Sequence, residues 1–207
     1  MTAVAVIAKE CLPGKVKTRL QPDYTATEAA AIAAAALAET LELVGGLPAS
    51  RRILYFDGAV VPPGADGWDI LPQSGSDLDE RIAHLFDTVD EPLLMLGMDT
   101  PQLNPEWLGG LFVPRWDADA WFGPATDGGF WALGMRHPDG SLVRGVPMST
   151  EHTGRHQLER FAVAGLTVRL LPPLTDIDTA DDLASAADGS VRVRQALDAI
   201  GRIRIGA

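Results

Sequence analysis

The stretch Ala3-Val4-Ala5-Val6-Ile7-Ala8-Lys9-Glu10-Cys11-Leu12-Pro13-Gly14-Lys15-Val16-Lys17-Thr18-Arg19-Leu20 decides how this chain is read. Its first six residues form a short unbroken apolar run, which reads as a strand buried on both faces. The chain leaves that run into concentrated positive charge: Lys9, Lys15 and Lys17 are all the lysines it has, and Arg19 follows them. A compact ammonium suits a polyphosphate as a point charge, and a planar guanidinium forks the same kind of oxygen. The competing reading is a solvated basic loop. The segment is not a Walker A loop, because Lys9 stands where that motif needs glycine and Val16 replaces its magnesium-binding Ser or Thr. It also lacks a G-x-G-x-x-G fingerprint, so P-loop kinases and dehydrogenases both lose ground.

Working outward, similar apolar runs recur at Arg52–Phe56, Leu93–Gly97, Ala120–Gly123, Gly129–Gly134 and Val168–Leu171. Helical patterns separate them. Thr27 to Val44 is alanine-rich with Ile32, Leu37, Leu41 and Val44 near helical spacing, Thr25 or Thr27 can cap it, and Gly45-Gly46 stops it. Asp77 to Val89 places Leu78, Ile82, Leu85 and Phe86 on one face; further helices begin after Asp178 or Thr179 and cover roughly Val191 to Ile203. Strands alternating with helices predict an α/β fold with a mostly parallel central sheet flanked by helices. The closeness of Gly129–Gly134 to Ala120–Gly123 predicts a local antiparallel excursion. We expect one domain over residues 1–190 and a C-terminal helix or tail over 191–207.

Composition narrows the partners. A net charge of −11 over 207 residues, with a pI near 4.7, opposes a nucleic-acid polymer or an anionic membrane as partner. A basic loop on an acidic body points instead to a small anion. The single cysteine, Cys11, excludes an internal disulfide and fits a reducing compartment. The apolar start is too short for a signal h-region and no other apolar run approaches a membrane span, so the expectation is a soluble cytoplasmic protein. Arg192, Arg194, Arg202 and Arg204 read as a solvated face, with a homodimer surface as the alternative.

Ligands of open parallel sheets bind beyond the carboxyl ends of the strands, so polar residues that follow the apolar runs carry the chemistry. Gly97-Met98-Asp99-Thr100-Pro101 puts a carboxylate at one such end, either as a turn cap or as a ligand for Mg²⁺ or Mn²⁺ that also holds nucleotide phosphates. Leu174-Thr175-Asp176-Ile177-Asp178-Thr179 follows the last strand, and Asp176 and Asp178 are candidates for a second ligand beside their helix-capping roles. Asp127-Gly128-Gly129 lies between two apolar runs, as a hairpin turn or as backbone that approaches a ligand. Gln73 with Ser74-Gly75 precedes the second helix. Asp117-Ala118-Asp119 is a literal D-x-D, but it precedes its strand and lies at the wrong edge. His152 and His156 have no third partner for zinc, and Cys11 reads as an inert thiol.

Taken in order, Lys15-Val16-Lys17-Thr18-Arg19-Leu20, Gly97 to Pro101, Gly123-Pro124-Ala125 with Asp127 to Gly129, and Asp176 to Thr179 with Asp181-Asp182-Leu183 resemble a bacterial family, domain of unknown function 2064. That family is grouped with GT-A-fold, Rossmann-like nucleotide-diphospho-sugar transferases and is similar to 2-phospholactate and molybdenum cofactor guanylyltransferases. The resemblance implies that Lys15, Lys17 and Arg19 contact nucleotide phosphates, that Asp99 and Asp178 bind the metal, and that Lys17, Arg19 and Asp99 serve catalysis; Lys9 joins the nucleotide-binding candidates from its place in the lysine cluster, outside the motifs that carry the resemblance. It places Gln73 near the base, and Asp127, Gly128, Gly129 and Thr150 near the acceptor. Two departures stand out: Asp79 where the family has glycine, and Met148 where it has tryptophan. The reading that follows is a nucleotidyltransferase acting on an NTP and a small phosphorylated or carboxylated acceptor. Its rivals are a glycosyltransferase using an NDP-sugar and a non-catalytic nucleotide- or sugar-phosphate-binding protein.

Overall fold

The computed structural model describes residues 1–21, 23–114 and 116–205, the side chains of 184, 185 and 202–205 excepted. Seven strands form one sheet: β1 (Ala3–Lys9), β2 (Arg51–Asp57), β3 (Asp69–Pro72), β4 (Leu93–Gly97), β5 (Ala120–Pro124), β6 (Phe130–Met135) and β7 (Val168–Leu170). Their order is β3-β2-β1-β4-β6-β5-β7, and the direction of winding reverses between β1 and β4. β1 runs parallel to both β2 and β4, whereas β6 lies antiparallel between β4 and β5, which is the expected excursion.

Strand alternation sorts the core into two layers. Val4, Val6 and Ala8 of β1 face α1 (Ala26–Gly46) with Leu37, Leu41 and Val44. Ala3 and Ala5 face the other layer, where α2 (Leu78–Thr88) brings Ile82, Leu85 and Phe86 and α3 (Thr153–Val163) brings Phe161. Both faces of β1 are therefore dry, which explains its uninterrupted apolar sequence. Full burial of a side chain such as Ile53 or Phe122 contributes roughly 1.5–3 kcal/mol.

Helix α1 has two apolar faces. Thr25 caps it through a capping box with Glu28, and Ala29, Ile32 and Ala36 pack away from the sheet, onto Leu183 of α4 (Ala180–Gly189) and Val193 and Ile200 of α5 (Val191–Ile205). Its 21 residues are long and apolar enough to meet the length and composition of a membrane span, and half of that apolar stretch is buried within the protein, as in a core helix between two layers. On α5, Arg192 pairs with Glu42 of α1 at 2.7 Å and Arg194 donates to the Ala187 carbonyl of α4 at 3.0 Å, so both serve helix packing. The Arg202 and Arg204 side chains lie outside the described residues.

Two elements escaped the sequence pattern. β3 is a short edge strand with exposed or half-exposed residues, so it lacks an apolar run. In α3 only Thr153, Gly154, Gln157 and Phe161 are buried, which leaves little hydrophobic periodicity to read.

Candidate nucleotide and metal site

The reversal of strand order between β1 and β4 opens a crevice at their carboxyl ends, where sheets of this kind bind ligands. A cavity of about 320 Å³ lies there, and Lys9, Gln73, Asp99, Asp127, Gly129, Thr150 and Asp176 are in its wall.

Asp99 follows β4 by two residues. Gly97 makes room for it, since a Cβ at that position would come within 3.2 Å of Asp99 Oδ1. The carboxylate receives the Lys17 ammonium at 2.6 Å across 82 residues of sequence. Lys17 is held there by its neighbours: Val16 is buried against Ala30 and Ala33 of α1, and Leu20 is fully buried in the next cluster. Its own backbone is left-handed (φ 47°), and among the described residues only Ser149 (φ 58°) shares that conformation without being glycine. Ser149 lies in the cavity wall and Lys17 bonds to Asp99 of that wall, and such backbone persists only where the surrounding structure holds it. Burial disfavours the Lys17 ammonium, but Asp99, Asp178 and Asp176 outweigh it and raise its pKa above the usual lysine range.

Ile177, between Asp176 and Asp178, is fully buried, and both carboxylates act on the Lys17 ammonium. The Ile177 N–H donates to the Asp99 carbonyl at 3.0 Å, pinning the loop after β7 to the loop after β4. Asp176 turns into the cavity wall, while Asp178 pairs with Arg19. Burial, followed by the charges of Asp99 and Asp127, pushes the Asp176 carboxyl up to about 6. Thr179 caps α4 with Asp182 at the third helical position, so Asp178 is not needed as the cap.

The third contributor is the β5–β6 turn. Asp127 Oδ1 accepts from the Gly129 N–H at 2.7 Å, and the Gly128 carbonyl accepts from the Gly154 N–H at 2.8 Å. This docks the turn on the start of α3 and the Ser149-Thr150 segment. Gly128 has φ +91°, and a Cβ there would stand 2.1 Å from the Glu151 carbonyl oxygen. We expect Gly128→Ala to destabilise the protein by about 3 kcal/mol, from left-handed strain plus overpacking, lowering Tm by roughly 6–12 °C. A thermal melt unchanged within a degree or two would refute this account of the turn.

Other candidates fall elsewhere. Lys15 is exposed on the basic loop and outside the cavity wall. The Gln73 side-chain amide donates to the Ala8 and Tyr55 carbonyls at 2.9 and 3.1 Å, so its N–H groups are occupied by backbone. Asp79 accepts from the Gly145 N–H at 2.8 Å, which gives this departure from the family pattern a structural use. Asp117 and Asp119 pair with Arg169 and Arg136 at the amino edge of β5, away from the cavity. Burial raises the Cys11 thiol to about 11 despite nearby Lys17, which makes it a poor nucleophile. Sequence reasoning missed the cavity's apolar wall, including Met95, Phe130 and Met148, because those residues read as ordinary core.

A central sheet wound in this order, mostly parallel with an antiparallel β6 and flanked by helices, defines a Rossmann-like α/β fold. Within that class the chain belongs to the DUF2064 family, described as uncharacterized proteins conserved in bacteria, whose profile matches residues 30–150. The match includes Asp99 and the 127–129 turn and excludes the basic loop and Asp176.

Among solved structures, the chain is similar to a protein from Desulfovibrio desulfuricans G20 provisionally named a nucleotide-diphospho-sugar transferase. They share 23% identity over 97% of this chain and 96% of that one, with a TM-score of 0.80. It is also similar to Rv0371c from Mycobacterium tuberculosis in a complex with manganese (20% identity, 89% and 96% covered, TM-score 0.54). A third likeness is to 2-C-methyl-D-erythritol 4-phosphate cytidylyltransferase from Thermus thermophilus (15%, 90% and 97%, 0.54). At these identities the likeness is one of fold. No curated protein matches the chain in sequence.

Proposed function

We propose that this protein is a divalent-metal-dependent nucleotidyltransferase, moving a nucleoside monophosphate from an NTP to a small phosphorylated or carboxylated acceptor with release of pyrophosphate. The observation that carries this reading is the part-buried Lys17–Asp99 pair at the mouth of the switch-point cavity, with Asp176 in the same wall as Asp99.

The residues suit a hard cation such as Mg²⁺ or Mn²⁺. Asp176 is raised first by burial and then by the charges of Asp99 and Asp127, so three carboxylates approach one another at this wall. Among the described residues no group of three or more His, Cys, Asp or Glu forms a cage. Asp99 and Asp176 would therefore hold the ion, leaving its other positions to phosphate oxygens and water, as Mg²⁺ prefers. When bound, the metal neutralises phosphate charge and orients the α-phosphate.

The chain's own groups do the rest. Lys17 exchanges Asp99 for phosphate oxygens when a nucleotide arrives, and its constrained backbone keeps the ammonium aimed at the crevice. Arg19, held by Asp178, and Lys15 stand on the same loop, where they offset charge on the departing pyrophosphate. An acceptor oxygen forms a bond to the α-phosphorus as the bond to pyrophosphate breaks. Because the acceptor is already an anion, no catalytic histidine is required.

The test is pyrophosphate release from each of the four NTPs with Mg²⁺ against a pool of phosphorylated and carboxylated acceptors. Acceptor-dependent release with at least one NTP is expected. No release, together with transfer or hydrolysis of an NDP-sugar, would overturn the proposal in favour of glycosyl transfer.

A further inference from the structure

Lys9 has so far been grouped with the other lysines of the basic loop, but strand alternation separates it from them. Ala3 and Ala5 point into the α2–α3 layer and Ile7 packs against it, so Lys9 at the end of β1 shares their face. Its register partner Asp57 confirms the parity, because it pairs with Arg81 of α2 at 3.2 Å. The basic loop lies on the opposite face, where Val16 packs on α1. Lys9 and Lys17 therefore approach the cavity from opposite sides of the sheet.

What lies beside Lys9 is apolar. Ile7, Leu78, Ile82, Met95, Phe130 and Met148 form the wall of the cavity on the α2–α3 side. Leu78, on the first turn of α2, is 42% exposed at the rim of this cavity. Of the hydroxyls beside this wall, those of Thr150 and Thr153 are engaged with each other and with local backbone N–H groups, and Ser149 is the third. The Gln73 amide donors are spent on the Ala8 and Tyr55 carbonyls, and its Oε1 faces Arg81 at 3.5 Å. A polyhydroxylated sugar ring seated there would leave polar groups unpaired, whereas a hydrocarbon would not. Among the described residues the Lys9 ammonium has no hydrogen bond or ion pair, so it is available to an incoming anion.

We infer that Lys9 and this apolar wall form the acceptor subsite, and that the acceptor is an amphiphilic small anion: one phosphate or carboxylate head on Lys9 and a hydrocarbon body against Leu78, Ile82 and Met148. Lys9 thereby belongs to acceptor recognition, and the triphosphate grip is left to Lys15, Lys17 and Arg19. The inference rests on the nucleotidyltransferase reading for the word acceptor, while the subsite itself is defined by Lys9 and the wall.

Two titrations on the full chain test it by calorimetry. In the first, n-alkyl phosphates from methyl to hexyl and the alkanoates of matching length are titrated into the wild type, Lys9→Gln and Leu78→Gln. Wild-type affinity should rise on the order of threefold to fourfold per methylene until the wall is filled. Lys9→Gln should weaken every member about tenfold without changing that increment, and Leu78→Gln should flatten the increment while sparing methyl phosphate. The head group that binds more tightly at equal length identifies phosphate or carboxylate.

In the second titration, a non-hydrolysable NTP analogue with Mg²⁺ should bind Lys9→Gln within twofold of wild type and Lys17→Ala at least tenfold more weakly. Affinity independent of chain length, or an unchanged increment in Leu78→Gln, would overturn the apolar subsite. Loss of analogue binding in Lys9→Gln would return Lys9 to the nucleotide. If the analogue fails to bind the wild type while the alkyl series behaves as described, the nucleotidyltransferase reading fails and the amphiphilic-anion site stands.

Discussion

Asp99→Asn should lower nucleotidyl transfer on the order of 10³-fold. The residue is proposed to place a metal charge against phosphate, an effect worth several kcal/mol, and every 1.36 kcal/mol is a factor of ten in rate. The same substitution strips the Lys17 ammonium of its partner. Lys17's side chain is only 9% exposed and that of Asp99 is 30% exposed, so the pair lies between the surface and buried limits. Breaking a fully buried pair costs 3–5 kcal/mol; at this half-open mouth we expect about 1–2 kcal/mol. A Lys17→Met/Asp99→Asn double variant should regain that stability without regaining activity. Urea unfolding and pyrophosphate release, read on the same preparations, separate the two roles. Wild-type turnover by Asp99→Asn would remove Asp99 from the metal site whatever its effect on folding.

Asp176→Asn should make the protein more stable and less active, with the stability gain confined to higher pH. The Asp176 pKa is raised from an ordinary 3.8 to about 6 in the folded protein. Between those values the folded state keeps a proton that the unfolded state has lost, so the contribution of Asp176 to stability falls as pH rises through this window. Above about pH 6 the ionised carboxylate opposes folding. Asparagine removes that opposition, which for a half-buried, partly screened group amounts to about 1 kcal/mol, or a Tm roughly 2–4 °C higher at pH 8. Near pH 3 the two proteins should melt together.

Metal binding runs the other way. Ligand carboxylates must be deprotonated, so wild-type Mn²⁺ affinity should climb through pH 5–6 and level off above it. Asp176→Asn should lose on the order of 100-fold in that affinity at pH 8. A variant that binds Mn²⁺ like wild type, or melts lower at pH 8, would place the metal elsewhere.

The two substitutions act on one patch of charge. Lys17 neutralises Asp99 in the free protein, so the site carries its own counter-ion, while Asp176 is raised by burial and by the charges of Asp99 and Asp127 more than Lys17 lowers it. Folding tolerates this because β1 and β4 are buried on both faces and supply stability that the crevice does not.

Most of the architecture was legible in the chain itself. The runs at β1, β2, β4, β5 and β6 are apolar because those strands are buried, and a short buried strand needs no partner information to be recognised. The strand-end rule led from Leu93–Gly97 to Asp99 for the same reason, since local sequence determines where a buried strand stops. The edge strand β3 and the thinly buried α3 were invisible because their stability comes from what they dock against.

What only the tertiary structure decided is how the ends of those elements meet. Lys17 reaches Asp99 across 82 residues and Arg19 reaches Asp178 across 159, distances at which sequence spacing has no directional meaning. That Asp176 lies in the cavity wall while Asp178 pairs with Arg19 likewise depends on tertiary contacts. The separation of Lys9 from the other two lysines turned on the parity of β1 and on which helices cover each face of the sheet. Side-chain direction depends on strand register and layer packing, and the list of residues that first marked the basic loop contains neither.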